Sequence, residues 1–225
     1  MNRSQDIGKQ PSLKQLVYEN LQNKIIQGEL APGTKLTEEE LAQSMNISRA
    51  PIREALNMLE RDGFTKIITR KGAVVAEMTL KDAMDIWKCR VALEPLAAKE
   101  ALPNIPPKEI ETALRHIQVL ETDAYTFDAY VASDLEVHGL YYNHLDNDYM
   151  KSILNNLKAH SIRVRWIKEV RHKNSDQSRI SIMEHRQILE AMRDNDPERV
   201  YTSVREHIQK SADRLFDAFE DDEQA

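Results

Sequence analysis

The stretch "TEEELAQSMNISRAPIREALNMLERDGF", residues 37–64, reads as two helices joined by a tight turn. Thr37 at an N-cap position with Glu40 three residues on predicts a capping box. The short helix it opens turns Leu41, Ala42 and Met45 inward and stops at "MNIS". Asn46 there tolerates the left-handed backbone that a sharp interhelical turn requires. Ser48 is placed to cap the next helix, and Pro51 falls in its first turn, where N–H groups lack helical partners anyway. Ile52, Ala55, Leu56 and Leu59 form the predicted buried stripe of that second helix.

Outward from this pair, Leu13, Leu16, Val17, Leu21 and Ile25 make a helical stripe that ends at Gly28, with Pro32-Gly33 as a turn. On the other side the period changes. "FTKIIT" (64–69) and "AVVAEM" (73–78) are β-rich, and "RKG" (70–72) between them reads as a hairpin tip. Three helices and a hairpin make a winged helix-turn-helix, whose second motif helix, 48–62, enters the major groove of double-stranded DNA. Arg49, Ala50 and Arg53 stand near the start of that helix. Arginine suits the place because its planar fork pairs with guanine or phosphate. Arg70 and Lys71 at the wing tip reach the flanking backbone or minor groove. Two arginines on a helix are ordinarily solvated charges; their position in this motif favours DNA contact.

Charge divides the chain in the same place. The net charge is -6 over 225 residues. Residues 1–78 hold 11 Lys/Arg against 10 Asp/Glu, a net of +1, and the remainder holds 20 against 27, a net of -7. Only the first part suits a polyanion. One cysteine, Cys89, excludes an internal disulfide framework and fits a reducing cytoplasm. No run of about 18 apolar residues predicts a membrane span. The opening "MNRSQDIGKQPS" lacks an apolar signal core, and residues 1–11 read as a disordered lead-in. The expected domains are a DNA-binding domain over 12–78 and a second domain over 79–225.

The second domain reads as helices over 79–102 and at about 107–123, 126–144, 147–173, 176–194 and 197–220, with breaks at Pro103, Pro106-Pro107, Asp146-Asn147 and Asn195-Asp196-Pro197. No strand pattern interrupts them, so the expectation is an all-helical antiparallel bundle and a mainly α chain. Among seven histidines, His116, His144, His160 and His172 have polar neighbours and are expected at the surface. His138, His185 and His207 are not. His185 falls inside the stripe of Ile182, Ile188, Leu189 and Met192, and His207 beside that of Val200, Val204, Ile208 and Leu215. His138 shares a face with Asp134, four residues before it in "DLEVH", along with Val131 and Leu135. A single inward histidine is usually a hydrogen-bonded core residue. Three with an aspartate each demand a partner, and a divalent cation of the Zn, Ni or Mn class satisfies all four together.

Two resemblances extend these readings. "GELAPGTKLTEEELAQSMNISRAPIREALNMLERDGF" with "TRKGAVV" closely resembles the DNA-binding domain of the GntR family of bacterial transcription regulators. The resemblance implies DNA contact by Arg49, Arg53, Lys71 and Gly72. It departs at Glu39, where some members carry a DNA-reading arginine. "CRVALEPLAAKEA" (89–101), "DLEVH", "EHRQILEAM" (184–192) and "VREHIQKSADRL" (204–215) resemble the FCD effector domain of the FadR subfamily, in its shorter, vanillate-regulator-like branch. That resemblance implies metal binding by Asp134, His138, His185 and His207, and a small carboxylic acid that completes the coordination. It also implies that Arg90 helps to bind the acid; an i+4 salt bridge from Arg90 to Glu94 is the plainer reading. The expected protein is a cytoplasmic homodimer on a palindromic operator, a repressor whose DNA binding responds to the acid. A direct metal sensor is the alternative. A helical metal-dependent hydrolase is disfavoured, because no further inward acidic pair, HExxH or nucleophile motif is legible.

Overall fold

The computed structural model describes residues 11–69, 71–122, 126–169 and 175–223. The chain divides into two compact units, Met1–Met78 and Thr79–Ala225. The sequence readings for residues 1–10, Arg70 and His172 lie outside the described residues.

In the first unit, α1 (Leu13–Ile26) packs on α3 (Arg49–Arg61), with α2 (Glu38–Met45) beside α3. Ser12 caps α1 by accepting from the Gln15 N–H. Val17, Leu21 and Ile25 form its buried seam, whereas Leu13 and Leu16, expected inside, are each 47% exposed. Leu13 is the first helical residue, and Leu16 lies about 100° round from the seam. The seam meets Ile52, Ala55, Leu56 and Leu59, which are all but inaccessible.

The Thr37 hydroxyl accepts from the Glu40 N–H at 3.2 Å and donates to the Glu40 carboxylate at 2.6 Å. The cap therefore closes through the hydroxyl. Ser48 occupies the N-cap of α3 without a side-chain cap bond. Asn46 has the expected left-handed conformation, φ 52°, and the Ile47 N–H reaches back to the Ala42 carbonyl at 3.0 Å. This is a Schellman closure of α2.

The wing holds one strand more than its sequence predicts. β2 (Thr65–Ile68) and β3 (Gly72–Val75) form the hairpin, and β1 (Lys35–Leu36) adds to β3 in the order β1-β3-β2, all antiparallel. Two residues are too few to display a period of two, so β1 leaves no pattern in the sequence. Gly72 explains how it fits. With φ +90°, a Cβ at position 72 would lie 2.3 Å from the Leu36 carbonyl oxygen.

The second unit contains α4 (Leu80–Ala101), a 3-10 turn (Leu102–Asn104), α5 (Pro107–Leu120), α6 (Phe127–His144), α7 (Asp148–Glu169), α8 (Ser175–Arg193) and α9 (Pro197–Glu223). The predicted all-helical bundle is observed. Thr79 and Asp82 form a full capping box at the start of α4. Asn195, at φ 52°, turns the chain before Pro197 opens α9. α4 packs along α9 and against α7, and α8 packs against α9 and α5. Ala97, Ala98 and Ala101, each 0% exposed, give α4 a narrow buried side. On α6 the buried face is Val137, Leu140, Tyr141 and Tyr142, whereas Leu135, expected inside, is 37% exposed.

The approach of β1 to β3 predicts unequal costs for two glycine substitutions. Gly33 has φ +82° but open space around its Cβ position. Gly33→Ala is expected to cost about 1–2 kcal/mol from its backbone alone, and Gly72→Ala measurably more, by separating β1 from β3. Thermal unfolding of the two variants measures this, and equal losses would refute the steric account.

Candidate metal centre and nucleic-acid interface

α6 carries Asp134 and His138 one turn apart, α8 carries His185 and α9 carries His207. All four are buried, at 4%, 3%, 0% and 3% exposure. Each offers a ligand atom, and these atoms all lie within 4.8 Å of one another. Asp134 Oδ1 is 3.7 Å from His138 Nε2 and 3.6 Å from His185 Nε2. His185 Nε2 and His207 Nε2 are 3.2 Å apart. Ligands at metal distances of about 2.0–2.1 Å around a tetrahedron stand about 3.3–3.4 Å from one another, so the spacing fits one small cation.

The far side of each outer imidazole fixes which nitrogen faces the centre. His138 Nδ1 donates to Glu94 Oε2 at 3.0 Å, and His207 Nδ1 donates to Glu184 Oε2 at 2.8 Å. A carboxylate on Nδ1 selects the tautomer with a lone pair on Nε2, as metal-bound histidines require. His138 Nε2 is buried and has no hydrogen-bond partner among the described residues. The donor set and this orphaned nitrogen fit a divalent cation.

Both carboxylates are themselves held by arginines. Arg90 Nε donates to Glu94 Oε1 at 2.5 Å, and Tyr141 donates to Glu94 Oε2 at 2.6 Å. Arg214 grips Glu184 through two bonds of 2.8 Å and reaches the Ser181 hydroxyl at 3.2 Å. Burial alone pushes both carboxyls up. For Glu94 the Arg90 charge and the His138 bond win, leaving it well below the usual carboxylate range. For Glu184 the His207 and Arg214 bonds hold it down at about 2. Burial lowers the His207 imidazole, against the pull of Glu184. Tyr141 and Tyr142 are raised, first by burial and then by the Glu94 charge, so both phenols stay neutral. Lys158 stands 5.4 Å from the Tyr142 ring centre and interacts with the Asp134 charge.

Two sequence readings are corrected here. Glu94 and Glu184 are inward acids, 0% and 7% exposed, where no further inward pair was expected. The signals were an i+4 arginine for Glu94 and the adjacent His185 for Glu184. Each is committed to a histidine and an arginine, so neither is a free general base. His160, expected at the surface, is 7% exposed, one turn before buried Val164 on α7. His116 is exposed beside Glu136, and His144 is partly covered beside Glu109. Arg90 takes the salt-bridge position to Glu94, 2% exposed, with its guanidinium 5.1 Å from the Trp87 ring centre.

In the first unit, Arg49, Ala50 and Arg53 are exposed on the first turns of α3. Both arginines meet acids at the start of α2. Arg53 forms a fork on Glu38 with bonds of 2.8 and 2.6 Å, and Arg49 lies 3.0 Å from Glu39. A cleft of about 450 Å³ between α2, α3 and the wing is lined by these four side chains, Lys71 and Gly72. Position 39 thus carries a carboxylate that engages Arg49.

Comparison with known proteins agrees with both halves. Residues 85–210 match the FCD domain, and residues 13–75 match the family described as bacterial regulatory proteins, gntR family. The HTH-type transcriptional regulator YdhC of Bacillus subtilis is 26% identical over 207 residues, covering 91% of each chain. The HTH-type transcriptional repressor RspR of Escherichia coli is 26% identical over 206 residues, covering 90% of this chain and 89% of its own. The solved structure of E. coli McbR/YncC has the same fold, with a TM-score of 0.74 at 20% identity, covering 93% of this chain and all of that one. Among the described residues no helix is long and apolar enough to cross a membrane. The chain belongs to the gntR family of bacterial regulatory proteins, a DNA-binding transcription regulator, not an enzyme, whose winged helix-turn-helix is followed by an FCD domain.

Proposed function

We infer that this regulator is a ligand-responsive repressor of the cytoplasm, acting as a homodimer, with residues 12–78 on operator DNA and residues 79–225 sensing a small carboxylic acid. One observation carries the sensing half: four buried ligand atoms, three nitrogens and one oxygen, within 4.8 Å of one another. Asp134, His138, His185 and His207 hold a divalent cation there, of the Zn, Ni or Mn class that suits imidazole with one carboxylate. Bound, that ion supplies a Lewis-acidic position for a carboxylate oxygen. Arg90, neutralised on Glu94, is the side chain we assign to help bind the acid, and Lys158 beside Tyr142 adds positive charge. The acid shifts DNA binding to the extent that it binds the DNA-competent and DNA-incompetent states unequally. On the DNA, Arg49, Ala50 and Arg53 approach base edges and phosphates from α3, while Lys71 and Gly72 follow from the wing.

Arg49→Ala is expected to weaken operator binding by about 1–3 kcal/mol with the fold intact. Fluorescence anisotropy and far-UV circular dichroism measure the two, and unchanged affinity would remove Arg49 from the interface. For the metal, elemental analysis of protein purified without chelator is expected to find about one divalent ion per chain. Chelation should then lower Tm by several degrees, because an ion present at 100 times its Kd stabilises by about 2.7 kcal/mol. No metal, even after soaking in Zn²⁺, Ni²⁺ and Mn²⁺, would sink the site. A thermal-shift panel of C3–C7 hydroxy-, keto- and aromatic acids is expected to contain a stabilising ligand whose effect disappears in His185→Ala. If no acid stabilises the protein but the metal alone changes operator affinity, the protein is a direct metal sensor instead.

A further inference from the structure

A face that meets a polyanion carries two carboxylates near its centre. Glu38 and Glu39 open α2 beside the reading arginines, and they are not equivalent. The Glu39 side chain is 74% exposed and touches Arg49 once, at 3.0 Å. The Glu38 side chain is 26% exposed and places both oxygens on the Arg53 fork, at 2.8 and 2.6 Å. It is the first residue of α2, where the helix dipole favours an anion. The pair joins residues 15 apart in sequence and so spans the turn between the two motif helices.

A guanidinium offers five N–H donors in one plane. Glu38 takes the Nε/Nη2 edge of Arg53, and the Nη1/Nη2 end forms a second fork of the kind that pairs with guanine O6 and N7. Resting on the assignment of Arg53 to the DNA face, we propose that Glu38 is a specificity-determining positioning residue that aims the free end of Arg53 at a guanine. Two effects follow from one carboxylate. Fixing a long side chain beforehand removes part of the ordering cost of binding the right base. The carboxylate also repels every duplex alike, and only the guanine contact offsets that repulsion. Glu38 therefore lowers affinity for DNA in general while widening the gap between operator and other sequences.

The test uses the full-length protein, a duplex selected by the wild type from a random pool, and a scrambled duplex of the same composition at the same salt. Glu38→Gln removes the charge, and Glu38→Asp keeps it but falls short of the fork. Glu38→Gln is expected to bind the scrambled duplex severalfold more tightly, with the selected-to-scrambled affinity ratio reduced about tenfold. Glu38→Asp should lose a similar factor in the ratio without tighter binding to the scrambled duplex. A fresh selection with either variant should relax a guanine position that Arg53→Ala also relaxes. Circular dichroism checks that the variants are folded. Wild-type ratios in both Glu38 variants, with the ratio lost in Arg53→Ala, would overturn the proposal. Loss in Glu38→Gln alone would mark a pure charge effect and overturn the positioning role. An unchanged ratio and affinity in Arg53→Ala would show instead that the assignment of Arg53 to the DNA face is wrong.

Discussion

Burying a carboxylate and three imidazoles where α6, α8 and α9 meet imposes the strictest condition on the second unit. Each polar group removed from water needs a partner, and an unpaired buried charge costs several kcal/mol. The bundle meets the condition on the outer side with two relays, Arg90–Glu94–His138 and Arg214–Glu184–His207. These tie α4 to α6 and α8 to α9. On the inner side the Nε2 atoms of three histidines face Asp134 within 4.8 Å. Helix register follows from this arrangement, because a slip of one residue on α6, α8 or α9 carries a ligand about 100° away from the centre.

The relays also set the charge of the centre. Each pairs one arginine with one glutamate, so the two carboxylates next to the histidines bring no net charge. Ionised, they accept from the Nδ1 atoms of His138 and His207, which turns the Nε2 edges of those rings inward. An imidazole binds a cation through the lone pair of its neutral form. Asp134 is then the one ligand with a formal charge. A divalent cation on that set carries excess positive charge, and Lys158 adds more nearby. Excess positive charge in a buried site favours an anionic ligand over water, in keeping with the acid proposed above.

Much of this was legible in the sequence because polar residues stood where apolar ones were due. His185 and His207 interrupt or flank strong helical stripes, and Asp134 with His138 share one helical face. α2, α3 and their turn were legible for another reason: Thr37, Asn46 and Pro51 are each suited to one place at a helix end or turn. What escaped detection lacked one of these signals. β1 is two residues long and depends on the missing Cβ of Gly72, a contact 36 residues away. Glu94 was legible only as the i+4 partner of Arg90, since that spacing does not say which side of α4 is covered. His160 and Leu135 sit at the margins of buried faces, where the polarity of sequence neighbours is a poor guide to three-dimensional ones.

α4 is the first element of the second unit. It begins at Leu80, directly after the first unit ends at Met78, and its Thr79–Asp82 capping box fixes that start. The same helix carries Arg90 and Glu94, and Glu94 accepts from a candidate metal ligand, His138. A cation held by His138, as proposed, would therefore act on a buried carboxylate of α4 through that hydrogen bond. Pro95, next to Glu94, removes one backbone hydrogen bond from α4 at that point. Under the function proposed above the coupling is reciprocal: operator DNA would change acid affinity by the same factor that the acid changes DNA affinity.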